Sequence, residues 1–261
     1  MIRLSRYGVR APVNWRAVVD RALPDFAEYR RLAIQFETLP INSNQRRAGF
    51  STFAAHVLRR RQNRPSFPCC WSSAKEALAA MSRQKCSYCE GEINSLRAGQ
   101  VEHFKPKSLF PSLAYVWGNY FLACGGCNGA KSDRWPSAGG YLRPDQGDPT
   151  TELAFDLDGT VRARRGTAKA QRTIEDMELN RTWLVRRRKT HIKQMLSRLK
   201  MAEEVVLVNR GVGCRLAKHE LKMVNDPAVA YSAALTECFS LVWKTACPRV
   251  RLASTQRRSR Q

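Results

Sequence analysis

The sequence has no apolar run approaching the roughly 18–20 residues that a helix needs to cross a bilayer. Its first residues carry an arginine every few positions and lack the apolar stretch of a secretory signal. We therefore expect a cytoplasmic protein without a membrane span. Acidic residues are scarce as well, with 22 Asp and Glu against 45 Lys and Arg among 261 residues, a formal net charge of +23. A hydrophobic content of 43% nevertheless excludes wholesale disorder.

The positive charge lies towards both ends of the chain and not in its middle. Residues 1–85 and residues 146–261 each carry a net charge of +11, whereas residues 86–145 carry +1. Such an excess is typical of proteins that bind nucleic acid, because each Lys or Arg near a phosphate releases condensed counterions. A solvated basic surface and an acidic protein partner are the alternatives.

The spacing of apolar residues predicts a chain that is mostly helical around a central module. Helices are predicted over 15–35 with a break at Pro24, over 50–61, over 167–179 with Asn180 as a left-handed terminator, and from Thr182 onward. A hairpin is predicted over 153–161, around Asp158 and Gly159. We divide the chain into a basic helical region (1–85), a central module (86–135), a connection with a basic helical region (136–253) and a disordered basic tail (254–261).

The central module contains two cysteine pairs, Cys86-x2-Cys89 and Cys124-x2-Cys127, separated by 34 residues. Each pair can hold one side of a tetrahedral ion, and four thiolates leave no open coordination position. The pattern therefore predicts a structural zinc site that clamps the inserted loop. Two pairs of buried thiols without metal are the alternative.

Further polar residues follow the cysteines at defined spacing. In order, the chain reads Cys86-x2-Cys89, Glu102-His103-x2-Pro106, Asn119-x4-Cys124 and Cys127-Asn128-x2-Lys131. This order closely resembles the HNH endonucleases, in which an Asp is more frequent where Glu102 stands and a His also occurs where Asn128 stands. The resemblance implies the α+β class, with a zinc-bound ββα-metal (HNH) cassette embedded in a mainly helical chain.

The resemblance also implies a role for each residue. His103 would be the general base that takes a proton from water attacking a phosphodiester, a task that suits an imidazole pKa near 6.5. Glu102 and Asn128 would hold one divalent ion, Mg²⁺ or Mn²⁺, and Asn119 would orient His103 through a hydrogen bond. Adjacent side chains on a strand point to opposite faces, so Glu102 and His103 reach one site only if the strand ends or bulges there.

Several basic residues are candidates for contacts with nucleic acid. Lys131 follows the last cysteine pair, where either a phosphate contact or a solvated helix position is consistent with the sequence. Lys105 follows His103 in the motif. Arg186, Arg187 and Arg188 stand near the start of the predicted long helix, where they would bind nucleic acid or face a protein partner.

Stretches outside the cysteine pairs narrow the resemblance. They are similar to the PtuB-type HNH subunits of Septu anti-phage systems and of some retron defence systems. These stretches are Met1-Ile2-Arg3-Leu4-Ser5-Arg6, Val101 to Lys107, Tyr115-x-Trp117-Gly118-Asn119-Tyr120, Asn128-Gly129-x-Lys131-Ser132-Asp133, Phe155-Asp156-x-Asp158-Gly159 and Thr173-Ile174-x5-Leu179-Asn180. The resemblance implies an ABC/SMC-like ATPase subunit as partner.

The sequence thus predicts a metal-dependent HNH endonuclease in phage defence, with DNA favoured as substrate. An HNH nuclease that cuts RNA such as tRNA is one alternative, because basic flanks attract either polymer. A zinc-ribbon module that binds nucleic acid without cleaving it is the other.

Overall fold

The computed structural model describes residues 4, 9–23, 25–41, 43–57, 59–61, 64–136, 139–164 and 167–245. In these residues, helices and three two-stranded sheets confirm the predicted α+β class. The chain forms two compact units. The first unit comprises Leu4–Cys86 and Ile93–Arg143, and the second comprises Ser87–Glu92 and the described residues after Arg143. The predicted tail, 254–261, lies outside the described residues, and the four segments drawn from composition remain predictions.

The first unit begins with three helices, α1 (Trp15–Ala22), α2 (Phe26–Glu37) and α3 (Asn44–Val57). Two helices stand where 15–35 was expected to be helical with a break, so that prediction is confirmed. Asp25 starts α2, because its carboxylate accepts a hydrogen bond from the backbone N–H of Glu28 at 2.9 Å. Phe36 of α2 stacks on Phe53 of α3, with ring centroids 5.7 Å apart, which joins the two helices.

The three arginines at the end of the predicted helix over 50–61 are not helical. α3 ends at Val57, and Arg59–Arg61 form strand β1, which pairs with β2 (Arg64–Ser66) in an antiparallel hairpin. Pro65 lies opposite Arg60 in the register. A proline disfavours helical backbone at the residue before it, which favours the extended conformation of β2, and pairing with β2 holds Arg59–Arg61 extended as β1.

The centre of the first unit is a hairpin flanked by helices. Strand β3 (Gly99–His103) pairs antiparallel with β4 (Tyr120–Cys124), and α5 (Gly125–Lys131) follows β4 directly. Both α4 (Lys75–Ser82) and α5 pack against the hairpin. The first four residues of β4 are fully buried. Because successive strand residues point to opposite faces, both faces of the hairpin are covered.

The second unit contains the predicted hairpin at Asp158 and Gly159. Strand β5 (Leu153–Phe155) pairs with β6 (Val161–Ala163), which confirms the prediction. Gly159 has a φ of +90°, and a Cβ there would lie 2.5 Å from the carbonyl oxygen of Val185. Only glycine fits this turn without displacing backbone.

Helix α6 (Ala168–Asp176) follows, but the predicted terminator is wrong. Glu178, with a φ of 48°, takes the left-handed conformation expected of Asn180. The Asn180 side chain instead pairs with the backbone of Val161: its Oδ1 accepts from the N–H at 2.9 Å and its Nδ2 donates to the carbonyl at 2.7 Å. The asparagine therefore ties the end of α6 to β6.

Three helices complete the second unit: α7 (Thr182–Val208), α8 (Arg210–Val224) and α9 (Ser232–Thr245). The apolar stripe of α7 packs against α8 and α9 in one buried cluster, which confirms the long helix from Thr182. The cluster consists of Ile192, Met195, Leu199, Ala202, Ala217, Val224, Leu235, Cys238 and Phe239. No helix among the described residues is long and apolar enough to cross a membrane.

Candidate active site

The four cysteines of the two pairs come together. The Sγ atoms of Cys86, Cys89, Cys124 and Cys127 all lie within 4.8 Å of one another, and Cys127 is fully buried. Cys124 also starts α5, because its Sγ accepts the backbone N–H of Cys127 at 3.5 Å. Thiolates at about 2.3 Å from a tetrahedral zinc are about 3.8 Å apart, so small side-chain movements convert this cluster into a four-thiolate site. The cluster can therefore hold one zinc ion.

His103, the last residue of β3, lies in an aromatic pocket. Its imidazole is 7% exposed and makes edge contacts with two rings, those of Trp71 and Tyr120, at centroid distances of 4.9 and 5.0 Å. The Nε2 atom lies 3.0 Å from the carbonyl oxygen of Ala114, which also accepts the Tyr120 hydroxyl at 2.5 Å. Two ring contacts and one hydrogen bond therefore fix the imidazole.

The hydrogen bond to Ala114 determines which nitrogen of His103 is basic. A carbonyl oxygen only accepts, so Nε2 carries the hydrogen and Nδ1 holds the lone pair. Burial, together with the positive charge of Lys107, lowers the pKa of His103 to about 3 from its ordinary 6.5. The imidazole is thus neutral at physiological pH, and its pKa lies below the value near 6.5 expected from the sequence.

Asn119 does not bond to the His103 ring, which differs from the role expected from the sequence. Its Oδ1 accepts from the backbone N–H of Lys105 at 2.9 Å, and its Nδ2 donates to the carbonyls of Lys105 and Leu113 at 2.9 and 3.2 Å. These bonds close the loop between β3 and β4. Because Leu113 precedes Ala114, Asn119 orients His103 only indirectly, through the position of the carbonyl that the imidazole bonds.

Replacing Asn119 with alanine removes these three bonds from a side chain that is 3% exposed. Since buried backbone groups left without a partner cost about 1–3 kcal/mol each, we expect the free energy of unfolding of the first unit to fall by about 3 kcal/mol. Chemical denaturation, compared with the exposed control Asn94→Ala, measures the change. An equal, small effect in both variants would contradict the assigned role.

Glu102 and Lys131 form a buried ion pair. The Lys131 Nζ lies 2.5 Å from Oε1 of Glu102 and donates to the carbonyl of His103 at 3.0 Å. Lys131 is fully buried and Glu102 is 2% exposed. The position of Lys131 differs from both expected roles, a phosphate contact and a solvated helix position, because its ammonium is used to join α5 to β3. Removing one partner of such a pair costs about 3–5 kcal/mol.

Asn128, on the first turn of α5, faces the same side of β3 as Glu102. Its Nδ2 donates to Oε1 of Gln100 at 2.6 Å, and Gln100 stands two residues before Glu102 on the strand. The bond uses the amide nitrogen, so Oδ1 is the atom that Asn128 can offer to a cation. One carboxylate and one amide oxygen are ligands that Mg²⁺ accepts together with water and substrate phosphate. The chemistry of these two oxygens suits a divalent ion, which would share Glu102 with Lys131.

The remaining basic candidates occupy different surroundings. Lys105 is partly exposed, with Nζ 5.1 Å from the centroid of the Phe110 ring. Arg186 and Arg187 are exposed on α7. Arg188, by contrast, is 2% exposed: its guanidinium donates to the carbonyl of Gly159 at 2.6 Å and also to that of Leu179. Its guanidinium therefore holds the hairpin turn and does not reach a phosphate at the surface.

Sequence reasoning missed three groups that surround His103. The Ala114 carbonyl is a backbone atom, so no residue type marks it. Trp71 stands 32 positions before His103, in a segment without a motif. Lys107 is different, since it belongs to the stretch Val101 to Lys107 that carries the resemblance. Its position directly after Pro106 was therefore a signal present in the sequence.

Comparisons with known proteins give two relatives. No protein-family model and no solved structure matches the chain. A protein named Septu protein PtuB from Bacillus mycoides (strain KBAB4) is 28% identical over 146 residues, which cover 44% of this chain and 50% of that protein. Another of that name, from Bacillus thuringiensis, is 34% identical over 80 residues, 30% of this chain and 31% of that protein.

The chain thus matches half, or about a third, of the length of these curated relatives. The relatives carry the PtuB name that the further stretches of the sequence had indicated. Over the matched segments, the chain is similar to the PtuB proteins of Septu systems.

Proposed function

We propose that this protein is a metal-dependent HNH endonuclease that hydrolyses phosphodiester bonds of nucleic acid, with DNA favoured. The observation that carries the proposal is the position of the His103 imidazole, whose Nε2 is fixed on the Ala114 carbonyl so that Nδ1 holds the free lone pair. Nearby positive side chains suit a polyanionic substrate. The similarity to Septu protein PtuB supports a role in phage defence.

In the proposed reaction, Nδ1 of His103 accepts a proton from a water molecule as the water oxygen attacks phosphorus. The bond between phosphorus and the 3′ oxygen breaks, and the departing oxygen takes a proton from solvent water to become a 3′-hydroxyl, which leaves a 5′-phosphate. Trp71 and Tyr120 pack against the imidazole. This packing keeps the ring in one orientation during proton transfer.

A divalent ion, Mg²⁺ or Mn²⁺, is the proposed catalytic cofactor, and Glu102 and Asn128 are the residues that would hold it. When bound, such an ion supplies a positive charge that stabilises the departing oxygen. Lys131 shares the Glu102 carboxylate and so keeps that side chain in place against β3 before an ion binds.

A zinc ion on Cys86, Cys89, Cys124 and Cys127 is the proposed structural cofactor. Four thiolates saturate tetrahedral zinc, so this ion has no position for substrate. Because Cys124 both ends β4 and starts α5, zinc at this point sets the angle between the strand that faces His103 and the helix that carries Asn128.

The proposed partner is an ABC/SMC-like ATPase that restrains or directs the nuclease in a Septu-type system. The partner and the defence role rest on the family resemblance, since the relatives are named for Septu. A restrained nuclease has to be assayed both alone and with the proposed ATPase partner.

The test is cleavage of plasmid DNA and of total tRNA by the full chain, with Mg²⁺ or EDTA, alone and with the proposed ATPase partner. We expect Mg²⁺-dependent cutting of DNA, abolished by EDTA at a concentration that leaves the zinc bound. Cutting of tRNA alone would show that the protein is an RNA nuclease. Binding of both polymers without cutting under any condition would show a binding module and overturn the nuclease proposal.

Arg186 and Arg187 are proposed to contact phosphates, since both are exposed on α7. Each phosphate contact that is lost reduces the magnitude of the slope of log K against log salt by about 0.9. We therefore expect R186Q/R187Q to reduce this magnitude by about 2 in fluorescence-anisotropy titrations. The matched control is K218Q/K222Q, two exposed positions on α8. Equal slopes for wild type and R186Q/R187Q, with loss of ATPase binding instead, would assign the arginines to the protein partner.

A further inference from the structure

Lys107 is close to His103, and the proposed reaction gives it no role. Its Nζ is 5.3 Å from the centroid of the Trp71 ring and 5.8 Å from that of Phe67, so two aromatic faces hold the ammonium. The same Trp71 indole makes the edge contact with the His103 imidazole, at a centroid distance of 4.9 Å. Lys107 and His103 are therefore two neighbours of one rigid side chain.

The Lys107 ammonium contacts aromatic rings. In the described part of the chain, no carboxylate lies within 4.0 Å of its Nζ. Burial lowers the pKa of Lys107, while the more distant charges of Glu102 and Asp133 raise it and that of Lys131 lowers it. A partly buried cation of this kind gains free energy when an anion pairs with it.

The other two lysines of the loop and helix are committed elsewhere. Lys131 is fully buried on Glu102 and the His103 carbonyl. Lys105 lies over different rings, those of Phe110 and Trp135. Of these three lysines, Lys107 alone combines a contact to a ring that touches His103 with an ammonium that is not already paired with a carboxylate.

We propose that Lys107 is a catalytic residue that binds a non-bridging oxygen of the scissile phosphate and places it beside Nδ1 of His103. This inference rests on the proposed nuclease function. Trp71 serves as the common support, since its indole contacts both groups and so holds them in a constant relative position. An ammonium at this point also stabilises the additional negative charge that the phosphate oxygens acquire in the transition state.

The test is single-turnover cleavage by the full chain, with its ATPase if cutting requires it, on whichever polymer the wild type cleaves. Loss of one charge donor to a transition state costs about 100-fold, so we expect Lys107→Gln to lower the rate at saturating substrate by about 100-fold. The apparent Kd should change less than about threefold, because the remaining phosphate contacts persist. Lys107→Arg should recover the rate to within about tenfold, since guanidinium keeps both the charge and the aromatic contact.

Lys75→Gln is the matched control. Lys75 belongs to the first unit and donates to the carbonyl of Leu96 at 3.2 Å, and the charges that act on the pKa of His103 are those of Lys107 and Lys131. It should leave the cleavage rate unchanged. Equal thermal unfolding midpoints and zinc contents for the variants exclude a folding defect. If Lys107→Gln unfolds, the test uses Lys107→Arg, whose cleavage rate is compared with that of wild type.

The outcomes separate this inference from the nuclease proposal. A wild type that cleaves, with Lys107→Gln cleaving equally fast, overturns the role of Lys107 and leaves the nuclease intact. A higher Kd with an unchanged saturating rate also overturns it, because it places Lys107 on a phosphate away from the scissile bond. A wild type that cleaves neither polymer with its ATPase and Mg²⁺ overturns both.

Discussion

Replacing His103 with alanine is expected to lower the rate of phosphodiester cleavage by about 10²- to 10⁴-fold, the usual contribution of a general base. The substitution removes Nδ1, the only basic nitrogen of a ring whose Nε2 is hydrogen-bonded to the Ala114 carbonyl. The loop keeps its other bond to this carbonyl, since the Tyr120 hydroxyl also donates to it. Single-turnover cleavage of a labelled duplex at saturating protein measures the loss.

A second variant separates the loss of the base from the loss of packing. His103→Asn keeps an amide that can donate to a backbone carbonyl, but it offers no group that is basic at neutral pH. It should therefore be as inactive as His103→Ala while unfolding closer to wild type. His219→Ala, at an exposed position on α8, is the control and should cleave normally. Full cleavage by both His103 variants would refute the base assignment.

Replacing Cys127 with serine is expected to abolish zinc binding and to unfold the first unit. Cys127 is fully buried in the four-cysteine cluster. Structural zinc binds small modules with about 10–16 kcal/mol, which equals or exceeds the free energy of unfolding of about 5–15 kcal/mol for a whole domain. Inductively coupled plasma mass spectrometry should find one zinc per chain in wild type and well below one in the variant, with loss of cooperative thermal unfolding.

The matched control for this experiment is Cys214→Ser, a partly buried thiol on α8 outside the cluster. It should keep one zinc per chain and unfold near the wild-type temperature. A Cys127→Ser protein that still unfolds cooperatively at the wild-type temperature, and cleaves, would show that the cluster is not a folding zinc site. Adding EDTA should stop cleavage at concentrations that leave the unfolding temperature unchanged, because weakly held Mg²⁺ is removed before thiolate-bound zinc.

Local patterns sufficed for much of the fold. The two cysteine pairs came together as their spacing predicted, and the apolar stripe of α7 formed the core of the second unit. The hairpin at Asp158 and Gly159 also formed, because a short turn between two apolar runs depends on neighbouring residues. Each of these features is marked by a characteristic residue spacing within a short segment of the chain.

Side-chain partners far along the chain were not predictable in this way. Arg188 is one of three consecutive arginines, yet it alone is buried, because its helix face turns toward the Gly159 carbonyl 29 residues earlier. Lys131 similarly finds Glu102 across 29 positions. From composition alone, all these charged residues are expected at the surface. Only the packing of a helix against a hairpin shows which of them are buried.

The Ala114 carbonyl has a consequence for how this site tolerates change. A backbone oxygen is present whatever side chain follows it, so substitution at position 114 does not by itself remove the acceptor of the His103 bond. Inserting or deleting a residue between Phe104 and Asn119 does remove it, because the oxygen then moves along the loop that Asn119 closes. The number of residues in this loop, more than their identity, therefore sets the orientation of the imidazole.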